Sequence, residues 1–166
     1  MIVKHIGLLL LAFIIQSTVV EHIAIWGIKP DFILIILIYI SLRSGSLIGV
    51  ILGFSIGLLQ DFYGPPANLG LNALCKSLLG FGVGIGKEGL YKDSMLVLML
   101  TLVISYITHD IIYHIIDTRF TFDAVVSWFI GVSLPSVFYT VVLSLLLIYV
   151  FAFRRGQLHA KRLFPE

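Results

Sequence analysis

Gly49-Val50-Ile51-Leu52-Gly53-Phe54-Ser55-Ile56-Gly57-Leu58-Leu59-Gln60-Asp61 runs into Phe62-Tyr63-Gly64-Pro65-Pro66-Ala67-Asn68-Leu69-Gly70 and then into Leu71-Asn72-Ala73-Leu74-Cys75-Lys76. The reading of this stretch decides the fold. Gly49, Gly53 and Gly57 recur every four residues, with Asp61 one step further. Four residues advance roughly 400° around a helix, so successive members stay within about 40° of one another. The glycines form a slowly turning groove that leads to a carboxylate. Pro65-Pro66 between two glycines breaks the helix, and the next helix carries Asn72, Lys76, Gly80 and Gly84 at the same spacing. Small residues let helix backbones approach closely in lipid, where hydrophobicity alone does not bring helices together. The hairpin therefore reads as the packing centre of a membrane protein, its glycines and Asp61 meeting neighbouring or partner helices.

Composition supports that solvent. The 166 residues are 59% hydrophobic and 12% charged, with a mean hydropathy of +1.07, against about 25% charged residues in soluble domains. A net charge of +2 gives no electrostatic footprint for nucleic acid. The single Cys75 permits no disulfide framework. Lys4-His5 followed by an apolar run resembles a leader peptide, but Gln16 to Glu21 offers no small-x-small cleavage site, so an uncleaved first span is expected.

Six spans are expected in a single all-α domain over 1–166: Ile6 to Trp26, Phe32 to Leu42, Ser46 to Leu59, Leu69 to Gly86, Ser94 to about Ile116, and Ala124 to Phe153 with a kink at Pro135. The second span is well short of the ~20 residues that cross the hydrocarbon. It should stand nearly upright, borrow flanking residues or sit in a thinned bilayer. Six spans put both termini on one side. Lys4, Arg43, Lys87, Lys92, Arg154, Arg155, Lys161 and Arg162 then share that side, while Lys29 and Arg119 lie opposite. The positive-inside rule makes the crowded side cytoplasmic.

Polar residues at membrane depth are the candidate functional groups. Lys76 and Asp110 each fall about 10 Å from the outer ends of their spans at ~1.5 Å per residue. Such groups face the bundle and pair, so a Lys76–Asp110 ion pair is expected, with Asp61 as the competing partner or snorkelling as the alternative. The pair reads first as structural and second as a contact for a partner or ligand. Tyr106, Asp110, Tyr113, His114 and Asp117 share one helix face. That pattern favours a hydrogen-bonded seam that includes Asn72 and Lys76 over a metal site, although Asp110, His114 and Asp117 have ligand-like spacing. Formal motif matches fail on context. Gly53-Phe54-Ser55-Ile56-Gly57 is mid-helix where a nucleophile elbow needs a strand-to-helix turn, and Gly84-Ile85-Gly86-Lys87-Glu88-Gly89 ends a helix. No catalytic constellation, cofactor or metal is expected.

Pro30-Asp31-Phe32-Ile33-Leu34, then Arg43, then Gly49, Gly53, Gly57 and Asp61, then Leu69-Gly70-Leu71-Asn72-Ala73-Leu74 resemble MreD, the small integral membrane subunit of the bacterial rod-shape (elongation) machinery. The resemblance implies a non-enzymatic subunit in the inner membrane that binds MreC and helps couple MreB filaments to peptidoglycan synthesis. It also implies a six-helix architecture similar to the substrate-binding subunits of energy-coupling-factor vitamin transporters. That likeness supplies a rival reading, in which Asp61, Asn72, Lys76, Asp110 and His114 line an outward pocket for a small molecule. Against it, the first span has no alanine pair four apart for a coupling subunit, and the outer loops are short for a lid.

Overall fold

A computed structural model describes residues 2–24, 28–86, 95–119 and 121–146. The chain is all-α in these segments. Helix α1 (Ile2–Thr18) continues into the short turn α2 (Val20–Ile23), and α3 spans Phe32–Ser44. Next come α4 (Ser46–Asp61), a 3-10 turn at Pro66–Asn68, α5 (Leu71–Ile85) and α6 (Met95–Asp117). The last helix, α7, runs Phe122–Leu146. With α1 and α2 taken together, these are six helices. Two of them, Leu96–Asp117 and Phe122–Leu146, are long and apolar enough to cross a bilayer, and Val3–Thr18, Phe32–Ser44 and Ser46–Asp61 are shorter apolar helices. The expected ends at Trp26 and Phe153 and the loop from Lys87 to Asp93 lie outside the described residues.

The glycine spacing acts inside the molecule. Helices α4 and α5 pack antiparallel with their backbones in contact. A Cβ on Gly49 would strike the Gly80 carbonyl, one on Gly53 the Lys76 carbonyl, and one on Gly57 the Asn72 carbonyl at 2.5 Å. Gly84 lies against Ser46 and Gly45. The paired numbers rise by four along α4 as they fall by four along α5, so every rung of one four-residue ladder meets a rung of the other. Packing this close draws on van der Waals contact between backbones, which operates in lipid as well as in water. Gly45 joins α3 to α4 at φ 94°, and Gly70 precedes α5 at φ 90°. Both conformations suit a residue without a Cβ.

Helix α3 is the most enclosed element: Ile33, Leu34, Leu37, Ile38, Ile40 and Leu42 are all buried. One side of it joins Leu9 and Ala12 of α1 with Leu52 and Ile56 of α4. The other joins Leu79 of α5, Leu102 and Tyr106 of α6 and Val137 of α7. Lipid-facing side chains, such as Leu47, Ile51 and Phe54 on α4, are exposed.

Pro135 leaves its mark one turn early. It has no N–H to give the carbonyl four residues back, and α7 widens into a π stretch at Phe129–Ser133, with the Leu134 N–H donating to the Phe129 carbonyl. The irregularity is a π-bulge, a common cause of bending in helices.

Candidate functional site

The shortness of α3 and the position of Lys76 have one cause. Thirteen residues make a helix of ~20 Å, roughly 10 Å less than the hydrocarbon thickness. Lys76 lies five residues into α5, about 8 Å from its N-terminal end, and His109 lies eight residues before the C-terminal end of α6, about 12 Å in. Lys76 meets Asp31, the N-cap of α3, and His109 reaches it through Lys76. Helix α3 begins inside the bundle, level with Lys76. Pro30 and Asp31 already lie inside the bundle before helix α3 begins.

Non-helical backbone at that depth must find partners within the protein, and here it does. Gln16 of α1 donates from Nε2 to the Pro30 carbonyl at 3.0 Å and accepts from the Phe32 N–H at 2.9 Å. The Asp31 N–H donates to Thr140 Oγ1 of α7 at 3.3 Å. Asp31 Oδ1 caps α3 by accepting from the Leu34 N–H at 2.8 Å. The Tyr139 hydroxyl donates to the Ile23 carbonyl at 3.1 Å.

Asp31 Oδ2 accepts from Lys76 Nζ at 3.4 Å. The lysine is 1% exposed, so no snorkelled ammonium reaches water. Nζ also lies 3.3 Å from His109 Nε2. An ammonium has only donors, which makes Nε2 the acceptor and puts the imidazole proton on Nδ1. That nitrogen lies 3.2 Å from Asp110 Oδ1. The result is a continuous buried chain, Asp31–Lys76–His109–Asp110, that ties α3, α5 and α6 together. The expected Lys76–Asp110 pair is corrected. Asp110 reaches Lys76 only through His109, because Asp31 starts a helix at the lysine's own depth.

Asp61 is not a rival for Lys76 either. It is 3% exposed, and its carboxylate accepts from the Asn72 N–H at 3.1 Å, Asn72 Nδ2 at 3.0 Å and the Ala73 N–H at 3.0 Å. Gly70 has no side chain with which to cap α5, so a residue on the preceding helix does it, placing negative charge at the positive end of the helix dipole. The expected polar cluster thus divides. Asn72 belongs with Asp61, whereas Lys76 and Asp110 belong to the ion chain. Tyr106 is buried toward Ser136 and Thr140 of α7. His114 sits among rings, with centroids 4.6 Å from Trp128 and 5.2 Å from Tyr113. Its Nδ1 is 3.9 Å from Asp117 Oδ2, too far for a hydrogen bond. Ser55, central to the formal G-x-S-x-G match, donates to the Ile51 carbonyl at 2.8 Å within its helix.

Gln16, His109 and Thr140 are the members that sequence reasoning overlooked, and Asp31 entered it only within the motif Pro30-Asp31-Phe32, not as the partner of Lys76. The signal for Asp31 was available in the eleven-residue apolar run that follows it. Gln16 and Thr140 carry no pattern of their own, since their partners are backbone groups of a distant segment.

The six helices of the described residues, with a buried lysine–aspartate pair, glycine-to-glycine backbone contact and apolar outer faces, have the character of a helical membrane protein. Residues 2–155 match the family of the rod shape-determining protein MreD, and the chain belongs to that family. Its members are non-enzymatic membrane proteins that act in determining rod cell shape. No curated protein and no solved structure matches the chain.

Proposed function

We propose that this chain is a single-domain membrane scaffold of the cell-elongation machinery. In that role it binds MreC and helps link MreB filaments, directly or through other subunits, to peptidoglycan synthesis. It lies in the inner membrane with both termini cytoplasmic, the orientation that the distribution of Lys and Arg favours. Family membership across residues 2–155 carries this reading.

The interior adds support. Asp61, Asn72, Lys76 and Asp110 have hydrogen-bonding groups engaged within the bundle, Asp61 with Asn72 and Ala73, Lys76 with Asp31 and His109, and Asp110 with His109. None of these, nor His114, lines the cleft found at the outer end of α5 and α6. A vitamin-binding subunit would need such groups to face an open cavity. The glycines are likewise engaged within the α4–α5 hairpin, so MreC would meet one of the apolar outer faces. Affinity purification of the full chain in mild detergent tests the proposal. Recovery of MreC with other rod-complex subunits is the expected result, and recovery of an ATP-driven transport module in their place would refute it.

A further inference from the structure

A cleft of about 560 Å³ opens where the α4–α5 connection meets the end of α6, with walls that include Asn68, Leu71, Leu74, Ile116, Asp117 and Arg119. That volume falls within the roughly 300–1,000 Å³ usual for small-molecule sites. Its two charges have opposite sign and stand two residues apart. Asn68 Nδ2 donates to Asp117 Oδ1 at 2.6 Å and to the Tyr113 hydroxyl at 3.3 Å, which fixes the carboxylate. The other oxygen, Oδ2, lies 3.9 Å from His114 Nδ1, beyond hydrogen-bond reach. Arg119 holds φ 52°, the sole left-handed backbone outside glycine among the described residues. Glycine would relieve that conformation, yet the position carries a guanidinium, the group best shaped to grip a phosphate. Below the charges the wall turns apolar, and Leu74 and Ile116 remain substantially exposed. Leu74 is three residues into α5, ~5 Å below its end.

We propose that this cleft holds a zwitterionic phospholipid of the phosphatidylethanolamine type. Its phosphate lies against Arg119, its ammonium against Asp117 Oδ2, and an acyl chain runs down Leu71, Leu74 and Ile116. Charge complementarity identifies the class. One cation and one anion at headgroup level match a phosphate and an ammonium, whereas a purely anionic headgroup would face the Asp117 carboxylate. The apolar wall leading into the membrane selects a lipid over a soluble phosphoethanolamine.

Native mass spectrometry of the full-length protein, released from detergent and titrated with phosphatidylethanolamine or phosphatidylglycerol, tests this assignment. The wild type should retain phosphatidylethanolamine in preference to phosphatidylglycerol. Arg119→Gly should lower that retention roughly tenfold, the value of one charge-assisted hydrogen bond, while its melting temperature stays level or rises because glycine suits φ 52°. Asp117→Asn should remove the preference for the ethanolamine head. Leu74→Trp, which leaves both charges in place, should weaken both lipids by filling the apolar wall. Equal retention of the two lipids by the wild type, unchanged retention in Arg119→Gly, or equally tight binding of soluble glycerophosphoethanolamine would each overturn the proposal.

Discussion

Lys76 shows how far single residues could be read in advance. A lysine inside an apolar helix demands a carboxylate at matching depth, and the type of partner was legible. Its identity was not, because Asp31 follows Lys29-Pro30 in what reads as a surface turn. Only the shortness of the following helix hints that Pro30 and Asp31 lie inside the bundle. The geometry fixes an energetic expectation. Lys76→Met leaves Asp31 buried beside no cation, and breaking such a pair costs about 3–5 kcal/mol. Lys76→Met combined with Asp31→Leu should recover most of that loss, whereas adding Asp110→Leu should not. Thermal unfolding in detergent distinguishes these cases, and identical midpoints for the three variants would contradict the pairing. Gln16 offers a second test at this scale. Gln16→Leu removes both hydrogen bonds to the Pro30–Phe32 backbone and strands buried polar groups, each costing about 1–3 kcal/mol. Lower thermal stability in the same assay, with no change in the spectrum of the helices, is the expected result.

At the scale of elements, the α4–α5 hairpin was the most legible feature. The four-residue glycine period, the Pro-Pro break and the terminal aspartate predict two close helices, and the structure places backbone on backbone along the whole period. The period alone leaves open whether the groove faces a helix of the same chain or a partner's. The match of the two ladders rung for rung resolves that in favour of the chain itself. Gly80 and Gly82 make a controlled comparison on one helix. A Cβ at Gly80 would collide with the Gly49 carbonyl, while one at Gly82 meets nothing within 4 Å. Gly80→Ala should therefore destabilise by about 3 kcal/mol, as overpacking does. Gly82→Ala should be neutral or stabilising by up to ~1 kcal/mol, the helix propensity gained. Comparable melting temperatures for the two variants would show that the hairpin is not in contact at Gly80. The π stretch in α7 was less accessible. Pro135 marks where an N–H is missing, but the manner in which the preceding turn adapts depends on packing against α6.

For the whole molecule, composition specified a lipid solvent and hydropathy specified six helices, because apolar runs of this length have few alternatives. What composition could not supply is depth, since a hydropathy profile counts residues without measuring where they start. Orientation is the testable whole-molecule statement. A fluorescent protein that matures only in the cytoplasm, fused after Glu166, should give bright cells, and an alkaline phosphatase fusion at the same point should be inactive. The reverse pattern would invert the proposed topology and with it the side on which the lipid cleft opens.

The submerged start of α3 also bears on how the chain is made. Asp31 cannot settle in hydrocarbon until Lys76 has emerged from the ribosome and entered the bilayer, some forty-five residues later. In the proposed membrane topology, Asp31 would lack its counter-charge until the glycine hairpin arrives with Lys76. Membrane insertion and tertiary folding would then be coupled for this polypeptide, since a fragment that stops before α5 lacks the counter-charge of Asp31.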